Sequence, residues 1–252
     1  MRALQAVALV FVFVFAAAGC ASTSSSKGGG DTTSVKRTTL VSDKPIVELD
    51  GMTIEAIPIT IGQMKDHDEL VVPVGRANWA IGGGPCFKLK IDNKNDQIIK
   101  LQNAVIKLAD NGGNLYDVTG KDTMKSKQAT LIHDTAALYP PNPPATRKLI
   151  DDVNNKIDET RIFEPKAEIL PGFTGIYFLF FDMPKKSQTN LDENAAWLQA
   201  RGPFKLMIFD VITKTDQAGN TTKKTRYEWQ LATRTFDETY DENGKLVPST
   251  SP

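Results

Sequence analysis

The stretch "CFKLKIDNKNDQIIKLQNAVIKLADNGGNLYDV", residues 86–118, carries the pattern that decides the fold. Phe87, Leu89 and Ile91 fall on one side of the chain and Lys88 and Lys90 on the other. That period of two belongs to a strand with one dry and one wet face. "DNKND" (92–96) turns the chain into a short return over 97–101. Ile106 and Leu108 then flank Lys107, and "DNGGN" (110–114) is a hairpin signal ahead of 115–118.

The same grammar continues toward the C-terminus. Residues 204–213 and 225–231 are joined by "DQAGN", and Tyr227, Trp229 and Leu231 share a face opposite Arg226, Glu228 and Gln230. Short strands with turn signals at regular spacing predict a mainly β protein, an antiparallel sandwich. "GIYFLFFD" (175–182) is apolar at every position from Ile176 to Phe181, so both faces of that strand need cover. In "ATRKLIDDVNNKIDETR" (145–161), Leu149, Ile150, Val153 and Ile157 recur at helical spacing among polar residues. This predicts a helical insertion near 146–160, packed on the sheet over 176–181 or over 204–211. A partner-binding helix is the competing reading. A second short helix is expected at 192–200. The sandwich domain is placed at 45–236, followed by a polar tail at 237–252.

Residues 86–118, taken with "LPGFTGIYFLFFDMP" (170–184), resemble the immunoglobulin-like domain of secreted bacterial lipoproteins related to the telokin-like group. The resemblance rests on turn signals over about a quarter of the chain, and residues 120–165 depart from the compact form. It implies an immunoglobulin-like β-sandwich with a binding or scaffolding role and transfers no catalytic residue.

The N-terminus sets an expected address. Arg2 precedes Ala3–Ala18, apolar except for Gln5 and shorter than the roughly 20 residues of a membrane span. That is the profile of a secretory signal peptide, residues 1–19. Ala17, Ala18 and Gly19 lead into Cys20, which resembles the lipobox of bacterial lipoproteins, with alanine at position 17 where leucine is commonest. The resemblance implies lipidation of Cys20, including palmitate, and anchoring in the cell envelope. Ala21 is not the aspartate associated with inner-membrane retention, so it implies the outer membrane in a Gram-negative organism. The alternative is an ordinary signal cut after Ala18, leaving Cys20 a free thiol. Residues 20–44, rich in Ser, Thr and Gly, are expected to form a flexible tether.

Without residues 1–19 the chain holds 29 basic and 30 acidic residues, which gives no field for nucleic acid. The chemistry-bearing residues are sparse. Ser42, Ser126 and Ser187 lack a G-x-S-x-G setting, and there are two histidines. Cys86 opens an alternating strand and reads as a small buried hydrophobe. "KDHDEL" (65–70) crowds His67 among acids, but with His133 it makes no zinc spacing, and a solvated loop is the better reading. No metal and no cofactor are expected. Trp79 in "ANWAIGGGP" and Tyr139 in "LYPPNPP" are loop aromatics suited to binding a peptide, a glycan or an envelope protein, or to plugging the ends of the core. The expectation is a non-enzymatic, lipid-anchored binding or structural module. The rivals are an envelope hydrolase using unrecognised carboxylates and a metal-binding accessory protein.

Overall fold

The computed structural model describes residues 32–60, 84–136, 141–164, 167–182, 191–242 and 246–247. They form two antiparallel sheets and three helices. The four-stranded sheet runs β2 (Ile46–Leu49), β3 (Met52–Ile59), β4 (Cys86–Asn93), β9 (Thr174–Phe180). The seven-stranded sheet runs β1 (Thr33–Val41), β11 (Thr221–Tyr240), β10 (Phe204–Thr215), β5 (Ile99–Lys100), β8 (Glu168–Ile169). In that sheet β6 (Val105–Ala109) also pairs with β10, and β7 (Leu115–Asp117) pairs with β6.

The alternation read from 86–118 is the alternation of the core. Phe87, Leu89 and Ile91 join Met52, Ile54, Ala56, Leu179 and Phe181 from one sheet. They meet Ile106, Leu108, Leu206, Ile208, Tyr227, Trp229 and Leu231 from the other. Each such side chain taken fully from water contributes about 1.5–3 kcal/mol. The two polar handles in this core are satisfied: Trp229 Nε1 donates to the Pro45 carbonyl at 2.9 Å and Tyr227 OH to the Leu49 carbonyl at 3.2 Å.

β9 is covered on both faces, as its unbroken apolar run requires. Leu179 and Phe181 enter the inter-sheet core, while Phe178 and Phe180 face a second core with Ile59, Cys86, Met124, Ile132, Val153, Ile157 and Ile162. That second core is roofed by a helix pair, α1 (Lys121–Ala136) and α2 (Pro143–Glu159). α2 is the predicted insertion, and it lies over β9 rather than over 204–211. Asn142 caps it by accepting from Ala145 N at 3.3 Å, and Pro143 and Pro144 occupy the first turn, where no amide is missed. Both ends of the insertion are fastened to β9. Thr119 N donates to Phe180 O at 2.7 Å, Phe163 N to Phe178 O at 3.1 Å, and Phe178 N to Arg161 O at 2.8 Å. The second expected helix, α3 (Leu191–Arg201), sets Trp197 edge-on to Tyr116 at 5.5 Å and 5.8 Å from Phe204.

Two boundaries differ from expectation. β1 lies inside the expected tether, 20–44, and pairs with β11 from Thr33↔Tyr240 to Val41↔Ala232. β11 accordingly runs past the expected domain end at 236. "TSVKRTTLV" fully buries only Leu40 and Thr39 at its inner end, so an apolar-content criterion passes over it. Its β-branched residues and β11's open edge are enough to order it.

Candidate functional site

One end of the sandwich is built from turns that interlock. Asp50 and Gly51, with φ of 54° and 70°, form the two-residue connection of the β2–β3 hairpin, closed by Leu49↔Met52. Positive φ at both positions is the twist-matched hairpin turn, for which Asp-Gly is a preferred sequence. Next to it, Leu170-Pro171-Gly172-Phe173 is a tight turn closed by Phe173 N to Leu170 O at 3.1 Å. Proline second and glycine third, the latter at φ 75°, are the residues such a turn demands.

Asn93, at the end of β4, is the hub that joins these turns. Its side chain is buried, donating from Nδ2 to Gln97 O (2.9 Å) and Ile169 O (2.8 Å) and accepting from Asn95 N (2.9 Å). Its backbone accepts from Gly172 N and donates to Phe173 O, and Lys94 N donates to Gly51 O. Asn95 Nδ2 reaches the Asp50 carbonyl at 2.9 Å, so close over Gly51 that a Cβ there would sit 2.0 Å from Asn95 Oδ1. The polar groups of these turns are thus spent on one another.

The large apolar side chains that the platform leaves exposed are Phe173 (63 %), Leu170 (49 %), Leu49 (45 %) and Ile98 (37 %). The rim is charged with both signs. Glu48 is lowered by hydrogen bonds from Lys94 and then Thr53, Asp50 by Lys223 and then Thr225, and Asp92 by Thr174. All three carboxylates are charged at neutral pH. Large apolar side chains spaced across a rigid frame, with charges of both signs among them, suit a contact surface.

Elsewhere the carboxylates of Asp110 and Glu238 are occupied in structural bonds. The Asp110 carboxylate has no exposure and accepts from Asn114 N and Nδ2, Tyr116 OH and Arg201 Nη1. Burial pushes this carboxyl up, and the bonds from Asn114, Tyr116 and Arg201 outweigh it and hold it well below the usual range. Tyr116 is pushed up to about 12 by burial and by its bond to Asp110. Glu238, 4 % exposed, accepts from Thr60, from Arg37 Nε at 3.1 Å and from Tyr240 OH at 2.6 Å, tying β1 and β11 to the end of β3. Cys86 is 1 % exposed under the helix pair, and burial pushes its thiol well up, away from the reactive thiolate. His133 is exposed on α1, and no group of three His, Cys, Asp or Glu side chains suited to a metal occurs among the described residues. No helix among them is long and apolar enough to cross a membrane.

Cys20, Trp79, Tyr139 and His67 lie outside the described residues. The platform was not among the sites expected from sequence, although two of its signals are plainly there: "LDGM" (49–52) and "LPGF" (170–173). Each pairs a turn dipeptide with a large apolar residue that a hairpin tip does not need for folding. No protein-family model matches this chain, and no curated protein or solved structure matches it.

Proposed function

We propose that the protein is a lipid-anchored component of a bacterial cell envelope, held through Cys20, that binds a partner protein with the turn platform at the far end of its sandwich. The observation that carries this reading is the exposed set Phe173, Leu170 and Leu49 on a frame whose own polar groups are already satisfied. Its placement supports it. The platform lies at the Asp50–Lys223 end of β11, whereas Thr33, the first residue of β1, pairs with Tyr240 at the other end. β11 runs from one end to the other. The described chain therefore enters the fold, at Thr33, at the end opposite the platform. The mixed rim of Glu48, Asp50, Asp92, Lys94 and Lys223 suits a protein surface better than an anionic lipid face.

A photo-crosslinking residue at position 173, in cells, tests the reading against the same residue at position 115, an equally exposed leucine on the outer face of the seven-stranded sheet. One discrete crosslinked band from 173 and none from 115, lost with Leu49→Ser, is expected. Equal, diffuse labelling from both sites would sink the platform as an interface. In the same cells Cys20→Ala should release the protein from the membrane fraction or leave it unprocessed, and unchanged fractionation would remove the anchor.

A further inference from the structure

Gln128 sits in the middle of the stripe Met124–Gln128–Ile132 that α1 turns toward the second core. It is 1 % exposed, and neither its Oε1 nor its Nε2 has a hydrogen-bond partner. Asn154 Oδ1, on α2, is buried and unpartnered as well. An amide stripped of water at both atoms is among the costliest defects that a packed interior can hold. Such a defect persists where a second arrangement relieves it or where function requires it.

The surroundings of Gln128 supply that second arrangement. The whole insertion leaves and rejoins the fold at one strand, through Thr119 to Phe180 at one end and Arg161 and Phe163 to Phe178 at the other. Within it the helices are tied to each other, Lys121 Nζ to Asp158 O at 3.0 Å and Lys125 to Asp158 at 2.6 Å. Its ion pairs to the rest of the described chain are solvent-facing, Lys127 with Asp182 and Lys121 with Glu164. Water screens such pairs to little net worth. The inter-sheet core contains no residue of either helix.

We propose that α1 and α2 form a hinged cover that swings off the four-stranded sheet as one unit, with the buried, unpaired amide of Gln128 biasing it toward opening. The hinges are the segments at 119–120 and 160–161. Opening hydrates Gln128 and Asn154 and uncovers Ile59, Phe178, Phe180 and the thiol of Cys86, while both sheets stay packed.

Cys86 is the natural reporter. Full-length protein is exposed to iodoacetamide without denaturant, and alkylation of the Cys86 peptide is followed by mass spectrometry, which counts Cys20 separately. Global unfolding is followed in parallel by tryptophan fluorescence. Cys86 is expected to alkylate at least about tenfold faster than global unfolding allows, with a denaturant dependence smaller than that of global unfolding. Gln128→Met, which keeps the side chain's size and removes the amide, should slow that alkylation by about tenfold or more. Hydrogen exchange on the unmodified protein should release the amides of 121–136 and 143–159 together, ahead of those of β4 and β9. The proposal fails if alkylation tracks global unfolding, if Gln128→Met leaves its rate unchanged, or if the two helices exchange independently. Should Gln128→Met not fold, the alkylation and exchange of the unmodified protein decide alone.

Discussion

Asp110 is a carboxylate removed from water that remains charged, because four donors converge on it from three residues. Its folded value lies below the ordinary 3.8, so the stabilisation it gives is complete above about pH 4 and is lost as pH falls toward the depressed value. Acid titration of the denaturant midpoint should show that loss, and Asp110→Asn should flatten the curve below pH 4. At neutral pH Asp110→Ala should cost about 1–2 kcal/mol, since it removes the acceptor shared by Asn114, Tyr116 and Arg201, while water still reaches Asn114 and Arg201. Half of this arrangement is legible in the sequence. "DNGGN" announces the turn and the Asn114 bond, four residues apart, whereas Arg201 lies 91 residues away and nothing local marks it. Gln128 is hidden for the opposite reason: surrounded by Lys, Ser and Thr, a glutamine at the buried position of a helix looks like one more surface residue.

Among the elements, what sequence reveals depends on how much apolar side chain each one buries. β4, β9, β11 and α2 bury enough to print their periods, and β9 even shows its two-sided cover. Among its described side chains α1 buries Met124, Gln128 and Ile132, with a polar residue at the middle of the stripe, so the pattern does not show in sequence, and β1 is ordered mainly by its partner strand. The same logic grades mutations along α2. Ile157 has no exposure and meets the second core, so Ile157→Ala should cost about 2–5 kcal/mol. Leu149 packs at the margin of that core, and Leu149→Ala should cost under about 1 kcal/mol. Denaturant melts of the two variants check the gradient. Equal costs would mean that the helix does not dock through its C-terminal half.

At the scale of the whole molecule, the two sheets and their shared core follow from alternation alone, while the relation between the two ends of the sandwich does not. That relation is set by β11, which pairs with β10 along its first half and with β1 along its second, and so carries the fold well past its own core. It has a mechanical consequence. From Thr33 the chain runs through β1 and β2 to the turn at Asp50, all in one direction along the molecule. The join between the two strands is clamped midway, where the Pro45 carbonyl accepts from both Ala56 N and Trp229 Nε1. A pull between Thr33 and Phe173 therefore lies along the strands, and the nine residue pairs of the β1–β11 ladder share the tension in shear. A pull between Thr33 and Tyr240, paired at one end of that ladder, would open it one pair at a time. In an optical trap the first geometry should yield in a single event at high force and the second gradually at low force. On this account the ribbon works as a rope stitched down its length, and under the proposed anchor and partner it would hold a strained grip between the two.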